Sequence, residues 1–328
     1  MSNLSLNLGK EGFRPKRENW IVSLRTIQLS DNFICFYDGR GKAGEPLFGP
    51  DDSNWGQLDM DLGLCCYVLF QDGEAVVVDT LLTPEQAGYV RWRMESLGVR
   101  KFTVINTHMD MDHTGGNEVF ADSTIIALKG TYDAMVKYKP LIEKAELWGP
   151  PGINPLVLPN SLIEVDTRIT LAGFELNLLR VDAHQEGGSI CVHIPAYRAV
   201  LAGDVAEDPA VFVNQASGAR GYIAESRRLL GLDFDYVFPV HGNPDLIARG
   251  AYGKPFIEAC IVYQERLLEK VGEPGFLDTE FTDFMGDYLN AGILHFSDVY
   301  AGIHKTNAEN MYNYWVKEAG SGIRPGNE

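Results

Sequence analysis

The sequence predicts an α/β fold: an αββα sandwich, in which two internal sheets are covered by helices, with a helical extension at the C-terminus. Short strand-like runs alternate with helical patterns along both halves of the chain. His or Asp residues stand at the ends of several of these runs. From about Pro244 the strand pattern gives way to amphipathic stretches rich in Phe, Tyr and Trp, which predict the extension.

The composition is that of an ordinary globular protein and excludes some functions. The chain has 328 residues, of which 45% are hydrophobic and 22% charged, so a sizeable core can form. The formal net charge is -17 and no run is rich in Lys or Arg. This balance disfavours a nucleic-acid partner, because phosphate binding needs a basic surface. We interpret the acidity itself as a solvated surface.

The cysteines and the N-terminus bear on the cellular location. The five cysteines are Cys35, Cys65, Cys66, Cys191 and Cys260. Their number is odd and no CxxC spacing occurs, which favours reduced and mostly buried thiols. Residues 1–20 contain no apolar stretch typical of a signal peptide, and no apolar run is long enough to span a membrane. We therefore expect a cytoplasmic protein that does not associate with membranes.

Three regions are predicted along the chain. Residues 1–60 form a loop-rich N-terminal extension, with Gly and Pro clustered between Gly39 and Pro46. Residues 61–245 form the core of alternating strands and helices. Residues 246–328 form a helical extension packed on that core, which could serve as a cap or as the wall of a small-molecule pocket. Its aromatic residues also make it a candidate surface for a homodimer.

The first half of the core begins with two strands. These are Cys65–Phe70 and Ala75–Val78, joined by a turn that contains Asp and Gly. A capping box with Pro at the first helical position, at residues 83–86, begins a helix that Gly98 ends. The next strand, Phe102–Ile105, leads directly into the most informative stretch of the sequence.

The second half repeats this style. Strands are predicted at Ser161–Val165, Arg168–Leu171, Phe174–Val181, Ser189–Ile194, Ala199–Ala202 and Tyr236–Val240. A helix is predicted near Tyr222–Leu230, and three more in the extension, near residues 256–271, 277–289 and 307–316. If the two halves meet at a shared edge, their strand ends would come together.

The stretch after Ile105 is dense in metal-binding side chains. His108, Asp110, Asp112 and His113 fall within six residues, and a Gly-Gly pair follows. Two carboxylates and two imidazoles on one short loop are best explained by a cation that gathers them. The intervening Met109 and Met111 are expected in the wall of the site, since a thioether suits such metals poorly.

Further His and Asp residues stand at other strand ends. They are Asp79, His184, Asp204 and His241. His193 lies within a strand and is expected to be an ordinary core histidine. His295 and His304 lie in the extension, where each is either a contact to substrate or an ordinary packing residue.

The order and local context of these motifs resemble the metallo-β-lactamase superfamily over residues 62–245. That family has a His-x-His-x-Asp-His loop, a later His before a Gly-Ser pair, an Asp after a small-Gly step, and a final His-Gly. The resemblance implies two divalent metal ions. It implies that one ion is held by His108, Asp110 and His184, the other by Asp112, His113 and His241, with Asp204 bridging them. Asp79 resembles the buried Asp that orients this loop in the family, a turn or helix-cap Asp being the alternative.

Asp110 departs from the family pattern, which has His at this position. A carboxylate makes the ligand set harder, which favours iron or manganese relative to an imidazole-rich zinc site, although Asp also binds zinc. Zinc is the first choice and iron or manganese the alternatives. Flavodiiron proteins carry Glu at this position, but we expect no flavodoxin-like second domain in this sequence, which disfavours a flavin-dependent reductase. A third interpretation has one filled metal site, with Asp110 as a base or a hydrogen-bond partner.

The resemblance implies a hydrolase in which a metal-bound hydroxide attacks the substrate. Asp112 and Asp110 would orient the nucleophile, and either a metal-bound water or Asp204 could pass a proton to the leaving group. The expected substrate is small and partly hydrophobic, a lactone or another ester, because the loop layout resembles that of acyl-homoserine lactonases. An amide, a phosphoester or a halide displaced by a hydrolytic dehalogenase remains open. The alternatives are a non-haem di-iron oxygenase or oxidoreductase, and a binding protein without catalysis.

Overall fold

A computed structural model describes residues 24–40, 55–181 and 185–318. The chain divides into two compact units, Met1–Leu178 and Leu179–Glu328, here called unit 1 and unit 2. Within the described residues, no helix combines the length and the apolar character needed to cross a membrane. All five cysteines are buried free thiols, as the sequence predicts.

Unit 1 contains a seven-stranded sheet whose spatial order follows the chain. Its strands are β1 (Arg25–Ser30), β2 (Phe33–Asp38), β3 (Leu64–Gln71), β4 (Glu74–Val78), β5 (Lys101–Ile105), β6 (Thr124–Leu128) and β7 (Ser161–Ile163). The pairs from β1 to β4 are antiparallel, and those from β4 to β7 are parallel. The carboxyl ends of β4 and β5 therefore lie side by side at one edge of the sheet.

In the described part of unit 1, four α-helices accompany this sheet. They are α1 (Trp55–Leu62), α2 (Pro84–Ser96), α3 (Met111–Thr114) and α4 (Lys129–Glu143). The predicted capping box of α2 is confirmed: the Gln86 amide donates to Thr83 Oγ1, and the Thr83 amide donates to Gln86 Oε1. The apolar side of this helix packs into the core, where Val90 and Met94 lie in one cluster with Val77 and Val104.

The prediction that residues 1–60 are loop-rich is wrong for residues 25–38. These residues form β1 and β2, and every residue of β2 is buried. β2 pairs with β3 along its whole length, so its run of aromatic and β-branched residues packs inside the unit. The predicted boundaries of the three regions remain a prediction.

A five-stranded sheet has the order β12-β11-β10-β9-β8, and the boundary between the units falls inside β9. Its strands are β8 (Thr167–Leu171), β9 (Phe174–Val181), β10 (Ser189–Ile194), β11 (Ala199–Gly203) and β12 (Tyr236–Pro239). β8 pairs with β9 and β10 pairs with β11, both antiparallel. β11 pairs with β12 in parallel, so the carboxyl ends of these two strands are neighbours.

The helices of unit 2 lie mostly in the predicted extension. They are α5 (Ala219–Leu230), α6 (Pro244–Ala248), α7 (Lys254–Lys270), α8 (Phe281–Phe284), α9 (Gly286–Asn290) and α10 (Val299–Tyr312), which a π-helical turn, Asn313–Glu318, continues. The helix predicted near residues 277–289 is instead two short helices. Met285 leaves the helical backbone region between them, with φ -124° and ψ 23°.

Candidate metal centre

The ligand-rich loop of unit 1 starts where β5 ends. α3 begins directly after Asp110, so Asp112 and His113 are held on a short helical turn. His108 and His113 are fully buried, and Asp112 is nearly so. The side chain of Asp110 differs, with 26% of its surface exposed. Buried polar groups at this density need partners, and the partners come from the ends of neighbouring strands.

Asp79 is the central partner of this loop. It follows β4 in a left-handed backbone conformation (φ 61°), and its own amide donates to the Ile105 carbonyl at 2.9 Å. Its Oδ1 accepts from the Thr107 amide, and its Oδ2 accepts from the Thr107 hydroxyl, each at 2.8 Å. The Asp79 Oδ2 also lies 2.8 Å from Nδ1 of His113. Asp79 caps no helix, since Thr83 caps α2.

This network fixes which ring nitrogens carry protons. His113 Nδ1 donates to the Asp79 carboxylate, so Nε2 keeps its lone pair. The Thr107 hydroxyl donates to the same carboxylate and is therefore the acceptor for Nδ1 of His108, which lies 3.1 Å away. His108 also presents Nε2 as an acceptor. A neutral imidazole oriented through Nδ1 by a carboxylate is the form in which His binds metals.

The Nε2 atoms of both rings lie next to carboxylate oxygens. His108 Nε2 is 3.4 Å from Asp110 Oδ2, and His113 Nε2 is 3.1 Å from Asp112 Oδ2. The two imidazole ring centroids are 3.9 Å apart. Two imidazole nitrogens and two carboxylates thus lie within a short distance of one another, which is a donor set suited to divalent zinc, iron or manganese.

Two asparagines and a threonine hold the backbone of the loop. The amides of Asn106 and Asn117 exchange hydrogen bonds of 3.0 and 2.9 Å. Asn106 Nδ2 also donates to the His113 carbonyl at 3.1 Å, and the Thr80 amide donates to the same oxygen at 2.9 Å. Asn117 Nδ2 reaches the Val157 carbonyl at 3.1 Å. The backbone carbonyl of a ligand residue is thereby tied to two strand ends.

The Gly-Gly pair after the loop is required by close backbone approach. A Cβ on Gly115 would lie 2.1 Å from the Leu82 carbonyl oxygen, and one on Gly116 would lie 2.2 Å from the Thr80 carbonyl oxygen. Neither backbone group can move without disturbing the loop. Met109 and Met111 are buried in the hydrophobic core of unit 1, where a long apolar side chain fits.

Unit 2 places two further predicted ligands together. Asp204 follows β11 and His241 follows β12, at the neighbouring carboxyl ends of this parallel pair. His241 Nε2 lies 3.5 Å from Asp204 Oδ1, and both side chains are less than a tenth exposed. Gly203, with φ 54°, turns the chain at the end of β11. The predicted ligand His184 lies outside the described residues.

The other histidines are packing residues or partners of buried acids. His193 is buried, and its Nε2 lies 3.2 Å from the Asp233 carbonyl, as expected for a histidine within a strand. His304 is also buried, with Nδ1 2.9 Å from Tyr263 Oη and Nε2 3.1 Å from the Thr279 carbonyl. Its surroundings of Phe and Tyr rings lower its pKa to about 4 by desolvation.

The structure thus brings His108, Asp110, Asp112 and His113 together in unit 1, and Asp204 with His241 in unit 2. Side chains in both units belong to groups that could hold a metal ion. Their roles as ligands stay a prediction. Sequence reasoning missed Asn106, Thr107 and Asn117. Their position inside or beside the ligand-rich run was the available signal, because such residues often orient a metal site.

Comparison with known proteins decides the family. The family model described as the metallo-beta-lactamase superfamily matches residues 65–241. The chain belongs to this superfamily. Most of its members are metal-dependent hydrolases, and their sites are typically dinuclear. No curated protein matches the sequence significantly.

Solved structures of superfamily members share the fold. A metallo-beta-lactamase family protein from Thermus thermophilus is similar with a TM-score of 0.58 at 17% identity, over 91% of this chain and 98% of that one. A metallo-beta-lactamase from Pontibacter korlensis has a TM-score of 0.54 at 14% identity, over 74% and 99%. A third, from Pseudomonas aeruginosa in its mono-zinc form, has a TM-score of 0.54 at 12% identity, over 75% and 96%. These likenesses confirm the predicted fold class.

Proposed function

We propose that this member of the superfamily is a metal-dependent hydrolase of a small, partly hydrophobic substrate, with a lactone or another ester as the first choice. The observation that carries the proposal is the buried contact of Asp79 with His113 and Thr107. It holds the Nε2 atoms of two histidines in the form that ligates metals. A buried carboxylate is costly unless it is hydrogen-bonded, so Asp79 stays bound to Thr107 and His113 and keeps this arrangement in place.

The proposed ligands are those of the resemblance. One ion is assigned to His108, Asp110 and His184, the other to Asp112, His113 and His241, with Asp204 shared by both. Divalent ions in such a site lower the pKa of water to about 7 and polarise a carbonyl or similar oxygen. Zinc is the first choice. Iron or manganese are the alternatives, because three carboxylates make this ligand set harder than the family's usual one.

The side chains of the chain itself would position and move protons. Asp112 is nearly buried and lies against His113, so it can hold a water molecule in a fixed orientation for attack. Asp110 is more exposed than the other loop ligands and can take a proton from solvent-accessible groups. Asp204 is assigned the proton transfer: its carboxylate would take the proton that the attacking water loses and pass it to the leaving group.

The test is a substrate panel assayed with metal-free and reconstituted protein. The panel contains lactones with short and long acyl chains, aryl esters, an amide, a phosphodiester and a haloalkanoate. The proposal expects lactone or ester hydrolysis that a chelator abolishes and Zn²⁺, Mn²⁺ or Fe²⁺ restores. Asp112→Asn should lower kcat by at least about a hundredfold, the scale of losing an acid–base group. Hydrolysis of no member, by any metal form, would contradict the proposal.

A second candidate function rests on the carboxylate at Asp110. It is a non-haem di-iron oxygenase or oxidoreductase on the same fold, because hard oxygen ligands favour iron. Asp110 lies 3.4 Å from His108 Nε2, so its oxygen is available to the same ion as that histidine. Stoichiometric iron together with an oxygen-sensitive absorption band would favour this candidate over the zinc hydrolase. Zinc in the isolated protein would favour the hydrolase.

A further inference from the structure

Asp208 lies in the loop that carries Asp204 and is completely buried. Its carboxylate accepts three hydrogen bonds from the C-terminal part of unit 2. Tyr252 Oη donates to Oδ2 at 2.6 Å, the His295 amide donates to Oδ1 at 2.7 Å, and His295 Nδ1 lies 3.2 Å from Oδ2. A buried carboxylate with this many donors is held in one position.

Asp208 is also connected to the loop that carries His241. Its backbone amide donates to the His241 carbonyl at 3.1 Å. Tyr252, which donates to the Asp208 carboxylate, accepts a hydrogen bond from the Asn243 amide at 2.9 Å. Two separate contacts therefore tie the loop after β12 to the loop after β11, one through the amide of Asp208 and one through the Tyr252 hydroxyl.

We propose that Asp208, with Tyr252 and His295, forms a positioning network that sets His241 against Asp204 for metal binding. The proposal rests on the proposed function, in which both residues are metal ligands. The network joins the two ligand-bearing loops through the Asp208 amide and the His241 carbonyl, and through the Tyr252 hydroxyl between the Asn243 amide and the Asp208 carboxylate. It holds the 3.5 Å separation of His241 Nε2 from Asp204 Oδ1, which a divalent ion needs to be bound by both.

The neighbouring acid shows that burial alone does not make a positioning residue. Glu207 is as buried as Asp208, and its Oε1 accepts from the Phe212 amide at 3.0 Å. Its other oxygen lies 3.4 Å from Tyr300 Oη. These contacts stay within its own loop and α10, and none of them reaches residues 241–243. Of these two buried acids, Asp208 makes the contacts that reach the loop after β12, at the His241 carbonyl and, through Tyr252, at the Asn243 amide.

The test uses a pair of tyrosine variants in the full-length protein. Tyr252→Phe keeps the ring but removes the hydroxyl that joins Asn243 to Asp208. The matched control is Tyr263→Phe, which removes an equally buried hydroxyl with two side-chain partners, His304 and Asn307. The readouts are Zn²⁺ affinity, measured by competition with a chromogenic chelator, and the midpoint of thermal unfolding of the metal-free proteins.

The proposal expects Tyr252→Phe to weaken binding of the more labile Zn²⁺ about tenfold or more, the scale of losing an outer partner of a metal ligand. Tyr263→Phe should lower the midpoint of thermal unfolding about as much as Tyr252→Phe does, but it should leave the Zn²⁺ affinity unchanged. His295→Ala keeps the backbone amide that donates to Asp208 and removes a side chain that is 34% exposed. It should lower the Zn²⁺ affinity by a smaller factor than Tyr252→Phe. It serves as the second variant if Tyr252→Phe fails to fold.

Two results separate the inference from the proposed function. If the wild-type protein binds Zn²⁺ and hydrolyses its substrate, but both Tyr252→Phe and His295→Ala bind Zn²⁺ as the wild type does, the positioning role is overturned and the proposed function stands. If the wild type binds no Zn²⁺, Mn²⁺ or Fe²⁺, the proposed function and the inference fall together. An affinity loss in Tyr263→Phe equal to that in Tyr252→Phe also overturns the inference.

Discussion

The two units both present their candidate metal-binding side chains at the ends of parallel strands, but they hold these side chains differently. In unit 1 the candidate ligands follow β5, and their partner Asp79 follows the adjacent parallel strand β4. In unit 2 Asp204 and His241 follow the adjacent parallel strands β11 and β12. In unit 1 the partners that orient them come from the strand ends themselves, above all Asp79 and Thr107. In unit 2 the described partners come from the C-terminal helical region, through Tyr252 and His295.

The difference separates a locally encoded site from one that depends on distant packing. The predicted ligands of unit 1 occupy one short run, and most of the groups that orient them directly follow strands of the same sheet. Of the predicted ligands of unit 2, Asp204 and His241 lie on two loops separated by α5, and Asp208 connects these loops to residues much later in the chain. Substitutions near β4 and β5 should therefore act on folding and metal binding together. Substitutions of the C-terminal partners of Asp208, Tyr252 and His295, should act on metal binding through unit 2.

The largest expected effect comes from Gly116→Ala in unit 1. The new Cβ would lie 2.2 Å from the Thr80 carbonyl oxygen and 2.3 Å from Ala87 Cβ, so strand end and helix must move apart. We expect a loss of about 3 kcal/mol in the free energy of unfolding, the upper range of overpacking. The control is Gly302→Ala in α10, where a Cβ meets nothing within 4 Å. That change should stabilise the helix by up to about 1 kcal/mol. Urea denaturation measures both, and equal stabilities would refute the close-approach argument.

Asp79→Asn should follow, with its main effect on metal affinity. Asn tolerates the left-handed backbone, but its NH₂ group would face His113 Nδ1 and favour the tautomer that has its proton on Nε2. We expect Zn²⁺ affinity to fall roughly tenfold to a hundredfold. Chelator competition is the measurement, with Asp122→Asn as a surface control, since Asp122 pairs with Arg91 and no proposed ligand. Unchanged affinity in Asp79→Asn would show that the carboxylate does not orient a ligand.

A smaller effect is expected from pH in the C-terminal region. Burial lowers the pKa of His304 to about 4, below its ordinary value of 6.5. His304 is thus protonated more easily in the unfolded chain than in the folded one. Its contribution to the free energy of unfolding is complete above pH 6.5 and is lost as the pH falls toward 4. Between pH 7 and pH 5 the wild type should lose about 2 kcal/mol through this group. The loss should be absent in His304→Gln, and parallel pH profiles of the two proteins would contradict the assignment.

The sequence indicates the candidate residues of unit 1 because their signals are local. The capping box at Thr83, the strand before Asn106 and the four ligand candidates lie within a short stretch, and local periodicity and side-chain chemistry are sufficient to identify them. β1 and β2 were not predicted, because the nearby Gly and Pro cluster suggested loops while burial against β3 decides the structure. α4 was also not predicted, and it contains Pro140, which weakens a helical pattern.

Asp208 could not be predicted for a different reason. Nothing in the run from Glu207 to Pro209 distinguishes its carboxylate from one that faces solvent. Its partners, Tyr252 and His295, lie far along the chain and follow no motif with it. The burial that makes this acid informative arises only when the C-terminal region packs within unit 2. Local sequence patterns, which depend on neighbouring residues, cannot predict partners that lie this far apart in the chain.

The most direct test of the account is the metal content of the protein isolated from cells, measured by elemental analysis of the wild type, His113→Ala and His241→Ala. The account predicts two divalent ions per wild-type chain and a loss of metal in both variants, greater in His113→Ala because that residue is also tied to Asp79. Wild-type protein that holds no divalent metal after isolation, and takes up none on addition of Zn²⁺, Mn²⁺ or Fe²⁺, would contradict it.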